Sequence, residues 1–225
     1  MNRMKMPVVF LFLLCMGGAY ALNTENMTKK GDKKPYQNAK LSVESRVKDL
    51  LSRMTIEEKV AELNLLPYYQ NTDSICRALI REGKVGAFLK ANGATLNYSL
   101  QKEAMKHHRL GIPLMFHEDV IHGYRTITPI PLAESCSWNP EMVRKSAAMA
   151  AREAAAAGIQ LTYAPMVDIS YDPRWGRISE TSGEDTYVGK AMAVARVKGF
   201  QGNDLSDAST VAACVKHFAG YGEVT

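Results

Sequence analysis

The sequence predicts an α/β fold, a partial (β/α)8 barrel of the TIM type made of about its first half. Strand-like and helix-like segments alternate along the chain, which implies parallel strands joined by crossover helices. The strand segments are short and almost continuously apolar, as parallel strands covered on both faces are. Three of them also run out into charged clusters: Phe116-His117-Glu118-Asp119, Asp172-Pro173-Arg174-Trp175-Gly176-Arg177 and Lys216-His217-Phe218. Polar groups gathered at the downstream strand ends are how such a barrel builds a site at one rim.

The N-terminus reads as an export signal over residues 1–21. Arg3 and Lys5 make a positive start, Val8 to Met16 an apolar run, and Gly17-Gly18-Ala19-Tyr20-Ala21 supplies small residues with an Ala-x-Ala end. That order is the one a secretory signal needs, and the apolar run is too short to span a bilayer. Cleavage after Ala21 is expected, leaving a periplasmic or secreted protein that starts at Leu22. A lipid-modified Cys15 is the competing reading, weakened because Phe12-Leu13-Leu14 lacks the small residues such a site needs. Residues 22–41 are polar and read as a linker, and the domain is expected over 42–225.

Composition bounds the function. Hydrophobic residues make up 46% and charged residues 23%, an ordinary globular balance. The formal charge of +5 drops to about +3 once Arg3 and Lys5 are removed. The basic residues are dispersed, and the one tight run, Lys29-Lys30 with Lys33-Lys34, lies in the polar linker. A solvated segment accounts for that run, so neither a nucleic-acid partner nor, after signal removal, a membrane partner is expected. Of the four cysteines Cys15 leaves with the signal. The remaining Cys76, Cys136 and Cys214 are odd in number and widely spaced, which argues against a disulfide framework and for small buried residues.

Helical patterning begins at Ser42, a candidate cap, with Val47, Leu50, Leu51 and Met54 on one face. Thr55-Ile56-Glu57-Glu58 is a stronger start, because the Thr hydroxyl and the Glu three residues on satisfy each other's free amides. Val60, Leu63 and Leu65 continue that apolar face. Residues 74–84 read as an amphipathic helix and Val85-Gly86-Ala87-Phe88-Leu89 as a short buried strand. A helix over Leu96–His108 leads through Leu110-Gly111-Ile112-Pro113 into the strand ending at Phe116. The Ala-rich stretch from Pro140 is a helix closed by Gly158, where a left-handed residue ends the last turn. Ile159 to Ile169 is the next strand, Glu184 to Gln201 the next helix, and Val211-Ala212-Ala213-Cys214-Val215 the last strand.

The chemistry concentrates at the strand ends. Two carboxylates and two imidazoles between His117 and Gly123 are costly unless they face a ligand or each other, and an ion-pair and turn cluster is the structural alternative. Asp119, directly after the strand, is the best candidate to accept hydrogen bonds from a polyhydroxyl ligand. The connection after Asp168 is long for a βα loop and holds Asp172, Arg174, Trp175, Arg177 and Glu180. Arginine offers a planar fork of donors, and tryptophan a plate on which a sugar ring can lie. One arginine is expected to be structural, paired with Glu180 or Glu184, and the other to bind ligand. Lys216 and His217 can share the rim only if the strand bends or ends there, since neighbouring strand residues face opposite ways. His107-His108 reads as a surface pair on a helix. The sequence carries no Ser or Cys nucleophile elbow, Gly-rich phosphate loop or metal-ligand spacing, and no cofactor is expected.

Five stretches carry a family resemblance: Asp119-Val120-Ile121-His122-Gly123-Tyr124, Thr162 to Ile169, Asp172 to Arg177, Gly183-Glu184-Asp185, and Lys216-His217-Phe218. In this order they resemble glycoside hydrolase family 3, nearest to its bacterial periplasmic β-glucosidases, over roughly residues 42–225. The resemblance implies an N-terminal (β/α)8-like barrel that holds the sugar in the −1 subsite. It puts Asp119, Arg177, Lys216 and His217 on the glycone-binding positions and selects Arg177 over Arg174. It also puts the nucleophilic aspartate and the acid/base glutamate past Thr225, so this chain holds no catalytic carboxylate. His117-Glu118 departs from the pattern, since relatives tend to carry Gly and a neutral or aromatic residue there.

The reading is therefore an exo-acting β-glucosidase that hydrolyses terminal β-D-glucosyl residues by a retaining double displacement. Its substrate would be a β-linked oligosaccharide or an aryl glycoside. A β-xylosidase of the same family and a non-catalytic sugar-binding module are the alternatives, and oligomeric state is left open. Residues 22–225 alone are expected to be inactive and to self-associate through an unpaired sheet edge.

Overall fold

The structure, a computed structural model, describes residues 33–218 and 220–223, so the segment expected to be an export signal lies outside the described residues. The chain separates into two compact units, one up to Ser52 and one from Arg53 onward. In the first, Pro35–Gln37 forms a single 3-10 turn inside the segment expected to be linker. Helix α1 (Val43–Arg53) follows. Ser42 caps it as expected, its Oγ accepting the Ser45 amide at 3.3 Å. Asp49 accepts the Tyr36 amide at 3.1 Å, and Arg46 Nε donates to the Tyr36 carbonyl at 2.9 Å, which ties the turn to the helix.

The second unit alternates helix and strand. Helix α2 (Ile56–Glu62) begins at the Thr55 capping box, with both reciprocal bonds formed: the Glu58 amide to Thr55 Oγ1 at 3.2 Å and the Thr55 amide to Glu58 Oε2 at 2.9 Å. Strand β1 (Leu65–Pro67), helix α3 (Asp73–Arg81), strand β2 (Ala87–Leu89), helix α4 (Ala94–His107) and strand β3 (Met115–Glu118) come next. Helices α5 (Pro131–Ser135) and α6 (Pro140–Ala156), strand β4 (Leu161–Thr162), helix α7 (Thr186–Gln201) and strand β5 (Ala212–Ala213) complete the order. Gly158 ends α6 with φ +87°, as its sequence position predicted.

All five strands are parallel and neighbour one another in chain order, β1-β2-β3-β4-β5. Sequential parallel order with intervening helices is the wall of a (β/α) barrel. Leu66, Phe88 and Phe116 share one register row. Phe88 and Phe116 are fully buried in a core with Ile80 from α3, Leu100 and Ala104 from α4, four alanines of α6 and Phe200 of α7. That row therefore faces the helix layer. Residues one step along point to the other side of the sheet, where Met115 is exposed and His117 half-buried.

Three elements differ from the sequence reading. Leu65, grouped with the helical face of α2, instead starts β1, because α2 stops at Glu62 and the Asn64 carbonyl turns to accept the Gly86 and Ala87 amides. The long strand expected over Ile159–Ile169 pairs only at Leu161–Thr162 and resumes as an isolated bridge from Met166 to Lys216. Pro165 stands in the gap and has no amide hydrogen to give to a ladder. Helix α5 had no periodic signal, since five residues are too few to show one. The cysteines also diverge: Cys76 is buried as expected, but Cys214 is only partly covered and Cys136, just past α5, is exposed. His108 is not on the surface, because its Nδ1 turns inward to accept the Leu110 and Ile112 amides at 3.2 and 3.4 Å.

Helices α6 and α7 pack closely through small residues. A Cβ built on Gly199 would lie 2.4 Å from the Arg144 carbonyl oxygen and 2.6 Å from Ala147 Cβ, so glycine is required for backbone contact. Gly199→Ala should therefore lower stability by about 2 kcal/mol through overpacking, although alanine is the better helix former. Denaturant unfolding of both proteins measures the difference, and an equal or higher midpoint for the variant would contradict the tight crossing.

Candidate functional site

Asp119 is the first residue beyond β3, and Lys216 lies three residues beyond the end of β5. Two parallel strands displaced by one intervening strand carry these residues to the same rim. Lys216 Nζ donates to both Asp119 oxygens, at 3.1 and 2.9 Å. The lysine side chain is 11% exposed and that of Asp119 45%, so the ammonium is sheltered while the carboxylate keeps an open side. Lys216 and His217 both reach the site because β5 stops at Ala213 and Lys216 makes only the bridge to Met166.

His217 is held by an acid that sequence reasoning left without a role. Asp168, 3% exposed at its side chain, accepts from His217 Nδ1 at 2.7 Å and from the His217 amide at 3.2 Å. A carboxylate can only accept, so Nδ1 carries the hydrogen and Nε2 turns outward. Arg177 Nη1 lies 3.4 Å from that Nε2. The other face of the guanidinium is committed: Nε and Nη2 donate to the two oxygens of Glu180, each at 2.7 Å. This pair raises Arg177 further above the usual arginine range and holds the Glu180 carboxyl below its ordinary value. Tyr221 closes the side, its ring 4.5 Å from the His217 ring and 5.4 Å from that of Trp175, with the Arg177 guanidinium over it.

The four residues singled out from the sequence are thus brought together as Asp119–Lys216 and Arg177–His217, with the backbone of 216–217 as the common link. Glu180 also feels the charge of Lys216. Arg174 is turned away and closed on Asp172, to which its Nη2 donates at 2.7 Å while 88% of its side chain stays exposed. Both arginines consequently have an acidic partner, and only Arg177 also faces the site. The rest of the His117–His122 cluster is not an ion-pair group. His117 Nδ1 contacts the Tyr163 hydroxyl at 2.7 Å, and burial lowers its pKa. Glu118 accepts the Asp119 amide at 2.9 Å, and His122 Nδ1 meets the Thr128 carbonyl at 3.2 Å across a turn. Sequence reasoning missed Asp168 as a histidine anchor and Tyr221 altogether. A signal for Asp168 existed, since it stands where an apolar run meets a long loop. Tyr221 directly follows Gly220, outside any apolar run, and had none.

A parallel sheet whose strand ends deliver carboxylate, ammonium, guanidinium and imidazole to one rim is built as the site-bearing end of a (β/α) barrel. Residues 55–225 match the glycosyl hydrolase family 3 N-terminal domain, and the chain belongs to that family. It is 42% identical over 193 residues to a periplasmic β-glucosidase of Salmonella typhimurium, covering 84% of this chain and 25% of that protein. A putative β-xylosidase of Formosa agariphila is 33% identical, over 96% of this chain and 31% of that protein. Among solved structures, the β-glucosidase from Listeria innocua superposes with a TM-score of 0.74 at 38% identity, over 81% of this chain and 27% of that one. The chain spans about a quarter to a third of the length of these relatives.

The Arg177–Glu180 pair has a pH signature. A carboxyl depressed in the folded state adds stability that is complete above its unfolded value, 4.5, and disappears as pH falls through the lower folded value. The stability gap between wild type and Glu180→Gln should stay constant at neutral pH and shrink on acidification below about pH 4.5. Denaturant unfolding across that range tests it, and a gap independent of pH would show that the pair contributes no linkage.

Proposed function

We propose that this chain forms the glycone-binding part of a retaining exo-β-glucosidase. The observation that carries the reading is the Lys216–Asp119 contact beside Arg177 and His217 at one rim. A pyranose offers adjacent hydroxyls that both donate and accept. Asp119, with its open side, accepts from two of them, while Lys216 Nζ, Arg177 Nη1 and His217 Nε2 supply the complementary partners. Asp168 and Glu180 hold His217 and Arg177 in the orientations that leave those atoms available.

Hydrolysis in this reading proceeds by two displacements at the anomeric carbon, with carboxylates about 5 Å apart as nucleophile and acid/base. The family resemblance puts both past Thr225, so none of the residues described above takes either role. The contribution of this chain is binding, and it grows along the reaction: hydrogen bonds to the 2-hydroxyl and its neighbours strengthen as the ring acquires oxocarbenium character. A β-xylosidase is the second reading, favoured by the relatives from Formosa agariphila described as β-xylosidases. Glucose and xylose present the same hydroxyls at positions 2, 3 and 4, to which this set of side chains is suited.

Full-length protein carrying this chain should hydrolyse an aryl β-glucoside faster than the matching β-xyloside or N-acetyl-β-glucosaminide. A clear preference for either of the latter would overturn the assignment. In the same protein Lys216→Ala should cost on the order of 3 kcal/mol in kcat/KM, the scale of a charged hydrogen bond in a sheltered site. Near-normal kinetics for a folded variant would give Lys216 a purely structural role.

We further propose that residues 1–21 direct export, residues 22–41 form a linker, and the barrel segment begins near residue 42. The Arg/Lys start, the apolar run and Ala19-Tyr20-Ala21 support export, as does similarity to a protein described as periplasmic. N-terminal sequencing of the exported protein should begin at Leu22; material starting at Met1, or lipidated at Cys15, contradicts it.

A further inference from the structure

Behind the site lies a buried ion pair that the binding reading does not use. Arg196, on the inner face of α7, is 2% exposed at its side chain, and its partner Glu134 on α5 is 10% exposed. The guanidinium donates through Nη2 to the Glu134 carboxylate at 3.3 Å and to the Pro131 carbonyl at 3.0 Å. Through Nη1 it donates to Ser182 Oγ at 2.9 Å. Glu134 Oε1 in turn accepts from Ser146 on α6 at 2.6 Å. One side chain therefore joins α5, α6, α7 and the end of the long loop that carries Arg177.

The route from Ser182 back to Arg177 is short and fully bonded. Thr181, with no exposed surface, donates its hydroxyl to the Ile178 carbonyl at 2.8 Å and accepts the Gly183 amide at 3.1 Å. Residues 178–180 form the 3-10 turn that starts at Arg177 and ends on Glu180, its ion-pair partner. A small cavity of about 10 Å³ beside Arg196 is also lined by Val120, His122 and Gly123 of the loop that follows Asp119. The pair thus stands behind both loops whose first or middle residues face the sugar in the reading above.

We propose that Arg196 is a positioning residue for Arg177: anchored by Glu134 and the Pro131 carbonyl, it grips Ser182 and fixes the 177–183 turn, and with it the direction of the Arg177 guanidinium. The burial that holds Arg196 below the usual arginine range shows what its placement costs. A lysine could not replace it, because the three acceptors it serves need two separate nitrogens of a planar fork. The functional part of the proposal rests on the glycone-binding reading; the structural part does not.

The test is a double-substitution cycle in full-length protein carrying this chain, using Arg196→Met, Ser182→Ala and Arg177→Ala with an aryl β-glucoside. Arg196→Met should lower kcat/KM about tenfold, and Ser182→Ala about threefold, chiefly through KM. In the Arg177→Ala background each should lose less than about a factor of two further. Equal losses in both backgrounds would overturn the proposal, since they would mean that Arg196 acts on the fold at large. Ser182→Ala leaves the ion pair intact and carries the same comparison if Arg196→Met does not fold. Hydrogen exchange separates this inference from the functional reading. Amides of 178–183 should exchange faster in Ser182→Ala even if wild type shows no glycosidase activity, and unchanged exchange there sinks the positioning role.

Discussion

An ammonium group drawn most of the way out of water needs a counter-charge, and Lys216 has one in Asp119. That requirement joins residues 97 positions apart in sequence and fixes much else. The two belong to strands on either side of β4, so the distance between their rims is set by strand spacing. Leu66, Phe88 and Phe116 must then sit in one register row for the sheet to hold that spacing. A slip of one residue in β3 would send Phe116 to the interior and His117 into the core. The bend after Ala213 serves the same contact, since it releases Lys216 and His217 from strand alternation and turns both toward the rim.

Support for this rim is layered. Asp168 and Glu180 each hold one hydrogen-bonding side chain in place and leave one of its nitrogens available. Behind them the Arg196–Glu134 pair gathers three helices and a loop. Such groups earn their burial only where each polar atom finds a partner. Asn97 Oδ1, His117 Nε2, Glu118 Oε2 and Arg196 Nε are exceptions among the described residues, all enclosed without one.

Much of this was legible in the residues. Capping chemistry located the starts of α1 and α2, because the side-chain and amide partners are local in sequence. Apolar continuity located β2 and β3, and Gly158 marked the end of α6. The charged clusters pointed to Asp119, Lys216 and His217 because each cluster stands at the end of an apolar run. What failed depended on distant partners. Leu65 joins β1 only because the chain turns at Asn64 to pair with β2, and His108 turns inward only to bond amides beyond its own helix. The strand through Pro165 broke where a missing amide hydrogen outweighed side-chain pattern. The choice between Arg174 and Arg177 could not come from residue type alone, since both stand three residues or fewer from a carboxylate that can bind them. The fold decides it by sending one into solvent and the other toward His217.

Each fixed charge of the rim is also already partnered. Each of its fixed cations, Lys216 and Arg177, already faces one carboxylate at hydrogen-bond distance. Asp168 is satisfied by two N–H groups of His217. A free charge on an incoming ligand would therefore disturb a pairing rather than complete one. If the rim binds the sugar as proposed, recognition there is left to the direction of hydrogen bonds, which suits an uncharged molecule whose polar groups stand at fixed angles around a rigid ring.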